Sequence, residues 1–409
     1  MIIHNKRKII NDPVYGFITI PNDLIFDLIE HPFFQRLRRI KQLGLTGLVY
    51  PGAIHTRFQH ALGAMFLMQQ AMDVLRQKGV QISKDEEDAT IIAILLHDIG
   101  HGPFSHALEN CIVHHMNHED LTLLYFEELN RQFEGKLTLA IQIFKGNYEK
   151  KFLHQLVSSQ IDVDRLDYLS RDSFFTGVSE GIVGTERIIK MMNVSNGNLV
   201  IDIKGIYSIE KFVLARRLMY WQVYLHKTVV GAEQLLIKIL KRAEQLTKKG
   251  VPLFLTPSLE QFLKHNYSFQ DFQTTPSLLT LFANIDDDEV MTCIKMWQHH
   301  SDKILSLLST NLINRKLFKV ELSDTPVLAT RLLEKRNKYT ELYDITSEES
   351  NYIVFDGMIS NSAYSHLESK IGILLQDGSL LDLADASDQL NIDALTKTVT
   401  KYFFCYPKW

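Results

Sequence analysis

Cysteine is scarce in this chain of 409 residues. Cys111, Cys293 and Cys405 are far apart and form no CxxC pair, which excludes a disulfide framework and a zinc ribbon and leads us to expect a reducing, cytoplasmic setting. No apolar run approaches the roughly 20 residues of a membrane-spanning helix. The opening Met1-Ile2-Ile3-His4-Asn5-Lys6-Arg7-Lys8 lacks the apolar core of a secretory signal, so no membrane partner is expected. Neither sign of charge dominates. With a net charge of −4 there is no global basic field to draw nucleic acid, and a polyanionic ligand has to be held by a local basic pocket. Internal repeats and low-complexity tracts are missing as well.

What is present is helical periodicity, sustained to about residue 310. Asn22 caps a helix beginning at Asp23, and Pro32 opens another carrying Phe33 to Leu43. Ser83 and Glu86 form a capping box. Behind them Ala89 to Leu96 is apolar on nearly every face, which predicts a buried helix ending at Gly100 as its left-handed terminator. Asn198 to Ile203 alternates as a short strand before a turn at Gly205. A long helix is expected from Ser208 toward Lys249, stopped by Gly250. Further on, Lys316 to Leu322, Asn351 to Phe355, Ile371 to Leu375 and Leu380 to Leu383 are expected strands, the last two around the turn Asp377-Gly378. The expected fold is mainly α: a helical domain over residues 1–310 and a smaller α+β region over 311–409.

The densest chemistry lies in Leu95-Leu96-His97-Asp98-Ile99-Gly100-His101-Gly102-Pro103, where a very apolar helix ends in two adjacent metal ligands. An unpaired carboxylate there would be costly, whereas a divalent cation neutralises it and takes the neutral imidazole as a nitrogen donor. His60 opens another amphipathic helix, with Leu62, Phe66, Leu67 and Ala71 as its apolar stripe. Asp164 lies in Ile161-Asp162-Val163-Asp164-Arg165-Leu166-Asp167, too charged for a core helix. His60, His97, Asp98 and Asp164 together supply two nitrogens and two oxygens, which suits Fe, Mn, Zn, Ni or Mg without choosing among them. His118, in Asn117-His118-Glu119-Asp120, is a candidate proton donor whose acidity Glu119 or Asp120 would tune.

This ordered H…HD…D series resembles the HD-domain metal phosphohydrolases. The resemblance is closest to the deoxynucleoside triphosphate triphosphohydrolases, the branch that includes the animal sterile-alpha-motif and HD-domain enzyme and its bacterial relatives. Asn11-Asp12-Pro13, Phe34-Gln35-Arg36-Leu37-Arg38, Ile40-Lys41-Gln42-Leu43-Gly44, Pro51-Gly52-Ala53 and Arg57-Phe58 look like that branch, which is matched from about Lys8 to Lys319. The resemblance implies a helical fold around one divalent metal and a reaction releasing deoxynucleoside and inorganic triphosphate from a dNTP. It gives catalytic roles to His118 and His101. Arg57, His106, Arg165 and Arg216 match phosphate-holding positions, with Arg165 standing where animal relatives carry Lys. Tyr168 and Asp172 match contacts to the deoxyribose, and Gln42, Leu43 and Tyr224 match the sugar and base wall. Tyr220 and Leu225 replace a histidine and a glutamine of the animal enzyme, and Trp221 is expected in the core.

The resemblance also implies a homo-oligomer, dimer or tetramer, activated by dGTP or GTP bound between subunits. Lys8, Asn11, Gln35, Arg38, Arg315 and Lys319 match that activator site, with Glu30 where an aspartate reads the guanine edge. The plainer reading of Arg36, Arg38, Arg39 and Lys41 is the solvated face of a helix. Two other functions remain on the residues alone: an HD phosphohydrolase acting on a different nucleotide phosphoester, and a noncatalytic nucleotide-sensing module.

Overall fold

A computed structural model describes residues 8–109, 111–114, 116–361, 370–388 and 397–408. The fold is mainly α with small sheets, as expected. Its first half comprises α1 (Asp23–Glu30), α2 (Pro32–Gln35), α3 (Arg57–Gln77), α4 (Lys84–Leu96), α5 (His118–Gln132), α6 (Thr138–Phe144), α7 (Lys151–Val157) and α8 (Val163–Thr176). Then come α9 (Thr185–Met191), α10 (Ile206–Met219) and α11 (Lys227–Lys248). Local chemistry accounts for their ends. Asn22 accepts from the Ile25 amide at 2.9 Å, Ser83 from Glu86 at 3.2 Å, and Asn117 from Asp120 at 2.8 Å. Gly250 ends α11 with φ +76°.

Three helical expectations need correction. Gly100 does not adopt a left-handed φ; a Cβ there would lie 2.2 Å from the His118 carbonyl and 2.3 Å from the Thr122 amide, so glycine is required by the close passage of α5. The expected helix over Phe33–Leu43 stops early. After α2 the chain makes a 3-10 turn, Arg36–Arg39, and goes extended at Ile40, because Arg36 turns inward to donate to Ile99 O at 2.9 Å and His101 O at 2.8 Å. The long helix from Ser208 is broken: α10 widens into a π-turn, Tyr220–Tyr224, and restarts at Lys227. Such turns carry one residue too many for the α repeat and present side chains to a site.

Nine strands form three sheets among the described residues. β1 (Ile9–Asp12) and β2 (Gly16–Thr19) make a hairpin. β3 (Met192–Ser195), β4 (Asn198–Asp202), β7 (Gly372–Leu374) and β8 (Leu380–Asp382) form the second sheet. β9 (Val399–Tyr406) lies between β5 (Lys319–Ser323) and β6 (Phe355–Asn361) in the third. β4 and β7 pair in parallel, joining chain segments on either side of residue 310. The strand expected at Asn351–Phe355 begins only at Phe355. Thr346 and Glu349 cap a helical turn over Ser347–Ser350, and its hydrogen bonding runs on to Val354. Around the site, α3 packs against both α4 and α8, burying Ala61, Ala64, Met65, Leu95, Leu96, Leu166 and Leu169. Three helix ends are thereby fixed around one point.

Candidate active site

His60 lies in the first turn of α3, His97 and Asp98 just beyond α4, and Asp164 in the first turn of α8. Their ligand atoms converge. Nε2 of His60 is 3.3 Å from Nε2 of His97, 3.0 Å from Asp164 Oδ1 and 3.5 Å from Asp98 Oδ2; Nε2 of His97 is 3.4 Å from an oxygen of each carboxylate. Both imidazoles have committed Nδ1, His97 to Ile94 O at 2.5 Å and His60 to the Asp167 carboxylate at 2.7 Å. A carbonyl and a carboxylate only accept, so each Nδ1 carries its hydrogen and leaves Nε2 as the atom each ring can offer a cation. Spacings of about 3.0–3.4 Å are those of atoms sharing one cation at bond lengths near 2.1 Å. Burial opposes charge on His60, but the hydrogen bonds to Asp164 and Asp167 outweigh it and push the imidazole up to about 10. Positive charge is what this cluster demands; His60, His97 and Asp164 form a group that could hold a divalent metal, while Asp98 borders it and is paired with Arg57.

Behind His60 stands a network that sequence reasoning missed. Arg171 is fully buried and clamps Asp167 at 2.9 Å and Asp12, next to the β1–β2 turn, at 2.7 Å. Through Asp167 it fixes the tautomer of His60. Gly63 makes room for it, since a Cβ would lie 2.0 Å from Asp167 Oδ1. The available signal was Asp164 and Asp167 three residues apart on one helix face.

On the other side, His101 Nε2 lies 3.3 Å from Asp98 Oδ1 and its ring stacks on His118 at 4.0 Å. Burial, reinforced by Arg57, holds His101 neutral, well below the usual imidazole range. The partner of His118 is Glu109, not Glu119 or Asp120. Glu109 Oε1 takes both the His118 backbone N–H at 2.9 Å and Nδ1 at 2.7 Å, while Asp120 is occupied in the Asn117 capping box. His106 meets the other Glu109 oxygen at 3.0 Å. Burial works against ionisation of Glu109, but its hydrogen bonds to His106 and His118 prevail and hold the carboxyl far below the usual range. Nε2 of His118 is left as the nitrogen available to the cavity.

That cavity holds about 500 Å³ and is lined by Asp98, Asp164, His101 and His118, and by all nine expected substrate positions: Gln42, Leu43, Arg57, His106, Arg165, Tyr168, Asp172, Arg216 and Tyr224. Arg57 pairs with Asp98 and donates to Ser105 Oγ at 2.8 Å. Arg165 pairs with Asp162, and Arg216 reaches Gln160 at 3.2 Å. Yet Arg165 Nε, Arg216 Nε and Gln42 Oε1 are buried without partners among the described residues. Asp172 accepts from the Tyr224 hydroxyl and faces His55 Nε2, both at 2.7 Å. His55 had no sequence signal. Tyr220 and Leu225 also line the wall, whereas Trp221, expected in the core, is half-buried and off the cavity. Phe104 and Ser105, both at φ +56°, form a strained turn beside the site. Asp287 holds it in place, accepting from the Phe104 amide at 2.6 Å and the Lys41 amide at 3.1 Å.

Of the seven expected activator positions, only Gln35 and Arg38 bond to each other among the described residues. Gln35 and Arg38 bond at 2.8 Å, Arg38 covers the Phe58 ring at 3.6 Å, and Lys8 covers Phe26 at 4.5 Å. Asn11 and Glu30 are exposed. Arg315 instead donates to Leu48 O at 2.8 Å, and Lys319 lies 3.5 Å from Glu321. Arg36 is no part of a solvated face; it is the buried strut beneath His97–His101.

Residues 57–172 match the HD domain family and residues 183–250 the HD associated region. The chain is similar to an uncharacterized protein, YwfO, of Bacillus subtilis, with 34% identity over 99% of this chain and 93% of that protein. It is also similar to the human deoxynucleoside triphosphate triphosphohydrolase SAMHD1, with 33% identity over 46% of this chain and 36% of that protein. Among solved structures, it is similar to a phosphohydrolase from Bacteroides thetaiotaomicron, at 52% identity and TM-score 0.95 over 98% of this chain and 100% of that one. A hypothetical protein from Aquifex aeolicus gives 26% identity and TM-score 0.71 over 98% and 97%.

Proposed function

The chain belongs to the HD-domain phosphohydrolases, the family that includes the deoxynucleoside triphosphate triphosphohydrolases, and on that premise we propose that it hydrolyses dNTPs to deoxynucleoside and inorganic triphosphate. The observation that carries this reading is the set of orphaned polar atoms on the cavity lining. Arg165 Nε and Arg216 Nε are buried donors awaiting an anion, and Gln42 Oε1 is a buried acceptor awaiting a hydroxyl. Buried polar groups left unpaired cost roughly 1–3 kcal/mol each. A ligand with a polyphosphate at one end and a sugar hydroxyl beside it satisfies all three.

When bound by His60, His97, Asp98 and Asp164, a divalent cation supplies Lewis acidity toward phosphate and a lowered pKa for water. The chain's own groups do the rest. Arg57, Arg165 and Arg216 hold the triphosphate, their planar guanidinium groups matching phosphate oxygens. Water attacks the α-phosphorus; as the new P–O bond forms, the bond to O5′ breaks and His118 Nε2 gives its proton to that leaving oxygen. The water's proton goes to solvent, from which His118 is recharged. Glu109 takes the Nδ1 hydrogen, so Nε2 is the position from which the protonated ring gives up its proton. Tyr168 lies against the sugar, where a 2′-hydroxyl would be crowded, and the 3′-hydroxyl lies beside Asp172 and donates to Gln42 Oε1.

A pure sensing module has no use for a proton donor held by its own carboxylate. Incubating the metal-loaded protein with dNTPs, NTPs, dNMPs and cyclic dinucleotides, followed by ion-exchange separation, tests the proposal. Inorganic triphosphate from dNTPs alone supports it. Turnover confined to monophosphates or cyclic dinucleotides would replace it.

A further inference from the structure

The proposed chemistry employs the arginines, His118, Tyr168 and the carboxylates Asp98, Asp164 and Asp172 of the cavity, and it leaves the carboxylate of Glu233 without a task. Glu233 lies in the second turn of α11, where that helix packs against the turns Gly44–Leu48 and Ser105–Leu108. It lines the cavity together with Leu43, Gly44, Thr46, Ala107 and Leu225, none of which carries charge. No hydrogen bond or ion pair engages its carboxylate among the described residues. Burial alone pushes its carboxyl up to about 7, and none of Arg57, Arg165 or Arg216 acts on it electrostatically. Among the described residues none of these arginines forms an ion pair with Glu233; Arg57 pairs with Asp98, Arg165 with Asp162, and Arg216 reaches Gln160.

A wall of uncharged side chains with a single free carboxylate is an unusual surface to present to a ligand. The Glu233 carboxylate repels phosphate, and among the described residues no cation pairs with it. With the triphosphate at the arginines and the sugar between Tyr168, Tyr224 and Asp172, the part of the substrate still to be placed is the nucleobase. The wall still unclaimed is that of Leu43, Tyr220, Leu225 and Glu233.

We propose that Glu233 is a specificity-determining residue that accepts hydrogen bonds from the amino-bearing edge of the nucleobase, favouring adenine, cytosine and guanine over thymine, an inference that rests on the dNTP reading above. Guanine presents two N–H donors side by side, and adenine and cytosine present an exocyclic amino group. Thymine presents one imide N–H flanked by two carbonyl oxygens, which a carboxylate repels. A hydrogen bond to a charged group is worth enough to change selectivity by about 10- to 100-fold.

The test is kcat/KM for dATP, dCTP, dGTP and dTTP, measured on the metal-loaded full chain, unaltered and as Glu233→Gln and Glu233→Leu. The unaltered protein is expected to use dTTP at least about 10-fold less well than the other three. Gln keeps the shape and donates as well as accepts, so it should bring dTTP within about threefold of the rest. A merely structural role would lower all four values together and leave their ratios alone. Equal use of all four bases by the unaltered chain, or ratios indifferent to residue 233, overturns the role of Glu233 while leaving the dNTP reading intact. Absence of any dNTP turnover by the unaltered chain overturns both. If the Leu variant does not fold, the near-isosteric Gln variant decides.

Discussion

Asp98 and His118 bear on different steps, and single substitutions separate them. Asp98→Ala removes one oxygen donor from the cluster and leaves Arg57 without its partner; it should abolish both bound metal and turnover, as elemental analysis and product assay would show. Undiminished metal in that variant would mean the ligands are misassigned. His118→Ala should leave metal content unchanged and lower turnover at saturating substrate by about 10²- to 10⁴-fold, the usual contribution of a positioned proton donor. Turnover equal to the unaltered protein would remove His118 from that role. The two histidines and two carboxylates of the cluster were legible because adjacent ligands at the end of an apolar helix make little sense without a cation. Glu109, His55 and Asp287 were not legible. Each acts across a turn or a long sequence separation, Asp287 on Phe104 across 183 residues, and nothing in the local pattern marks such a contact. Arg36 misled for the converse reason, since a buried arginine bonded to two carbonyls has the same letter as a solvated one.

Elements whose ends are set by local chemistry were legible, and those bent by tertiary contacts were not. The capping boxes at Ser83 and the cap at Asn22 lie where the residues indicate. The π-turn at Tyr220–Tyr224 left no signal, because its α10 and α11 flanks are both good helix sequence and the break serves the cavity wall. Gly100 was singled out as a terminator but serves as a clearance for α5. Gly100→Ala should drive the first turn of α5, and with it His118, away from His101. Turnover should fall by at least about 10²-fold with metal content unchanged and helical circular dichroism preserved. Full activity in that variant would show that α5 has slack the packing does not suggest.

Across the whole molecule, the expected mainly α fold is what folds, while the parallel pairing of β4 with β7 was beyond local pattern. Pairing partners far apart in sequence leave no periodicity. Two predictions belong at this scale. Burial raises the Glu233 carboxyl from an ordinary 4.5 to about 7, so between those values the folded protein binds more protons than the unfolded chain and stability falls as pH rises. Glu233→Gln removes that loss, worth about 3 kcal/mol well above pH 7 and nothing below about pH 4.5. Thermal melting of the ligand-free protein at pH 5 and pH 8 should show the variant gaining stability only at the higher pH. The second concerns assembly. If a guanine nucleotide joins the Gln35–Arg38 face of one copy to Arg315 and Lys319 of another, dGTP or GTP should shift the protein toward a tetramer and speed hydrolysis of a second dNTP, because a ligand favours the state it binds better. A nucleotide-independent oligomer with hyperbolic kinetics in sedimentation and rate assays would rule this out.

The central claim is water attack at the α-phosphorus with departure of O5′, and isotope placement tests it most directly. Hydrolysis of a dNTP by the metal-loaded protein in water enriched in oxygen-18, read by mass spectrometry, should place one heavy oxygen in inorganic triphosphate and none in the deoxynucleoside. Label in the deoxynucleoside, in a deoxynucleoside monophosphate or in orthophosphate would mean that a different bond is cleaved and that the roles given to His118 and the three arginines are wrong.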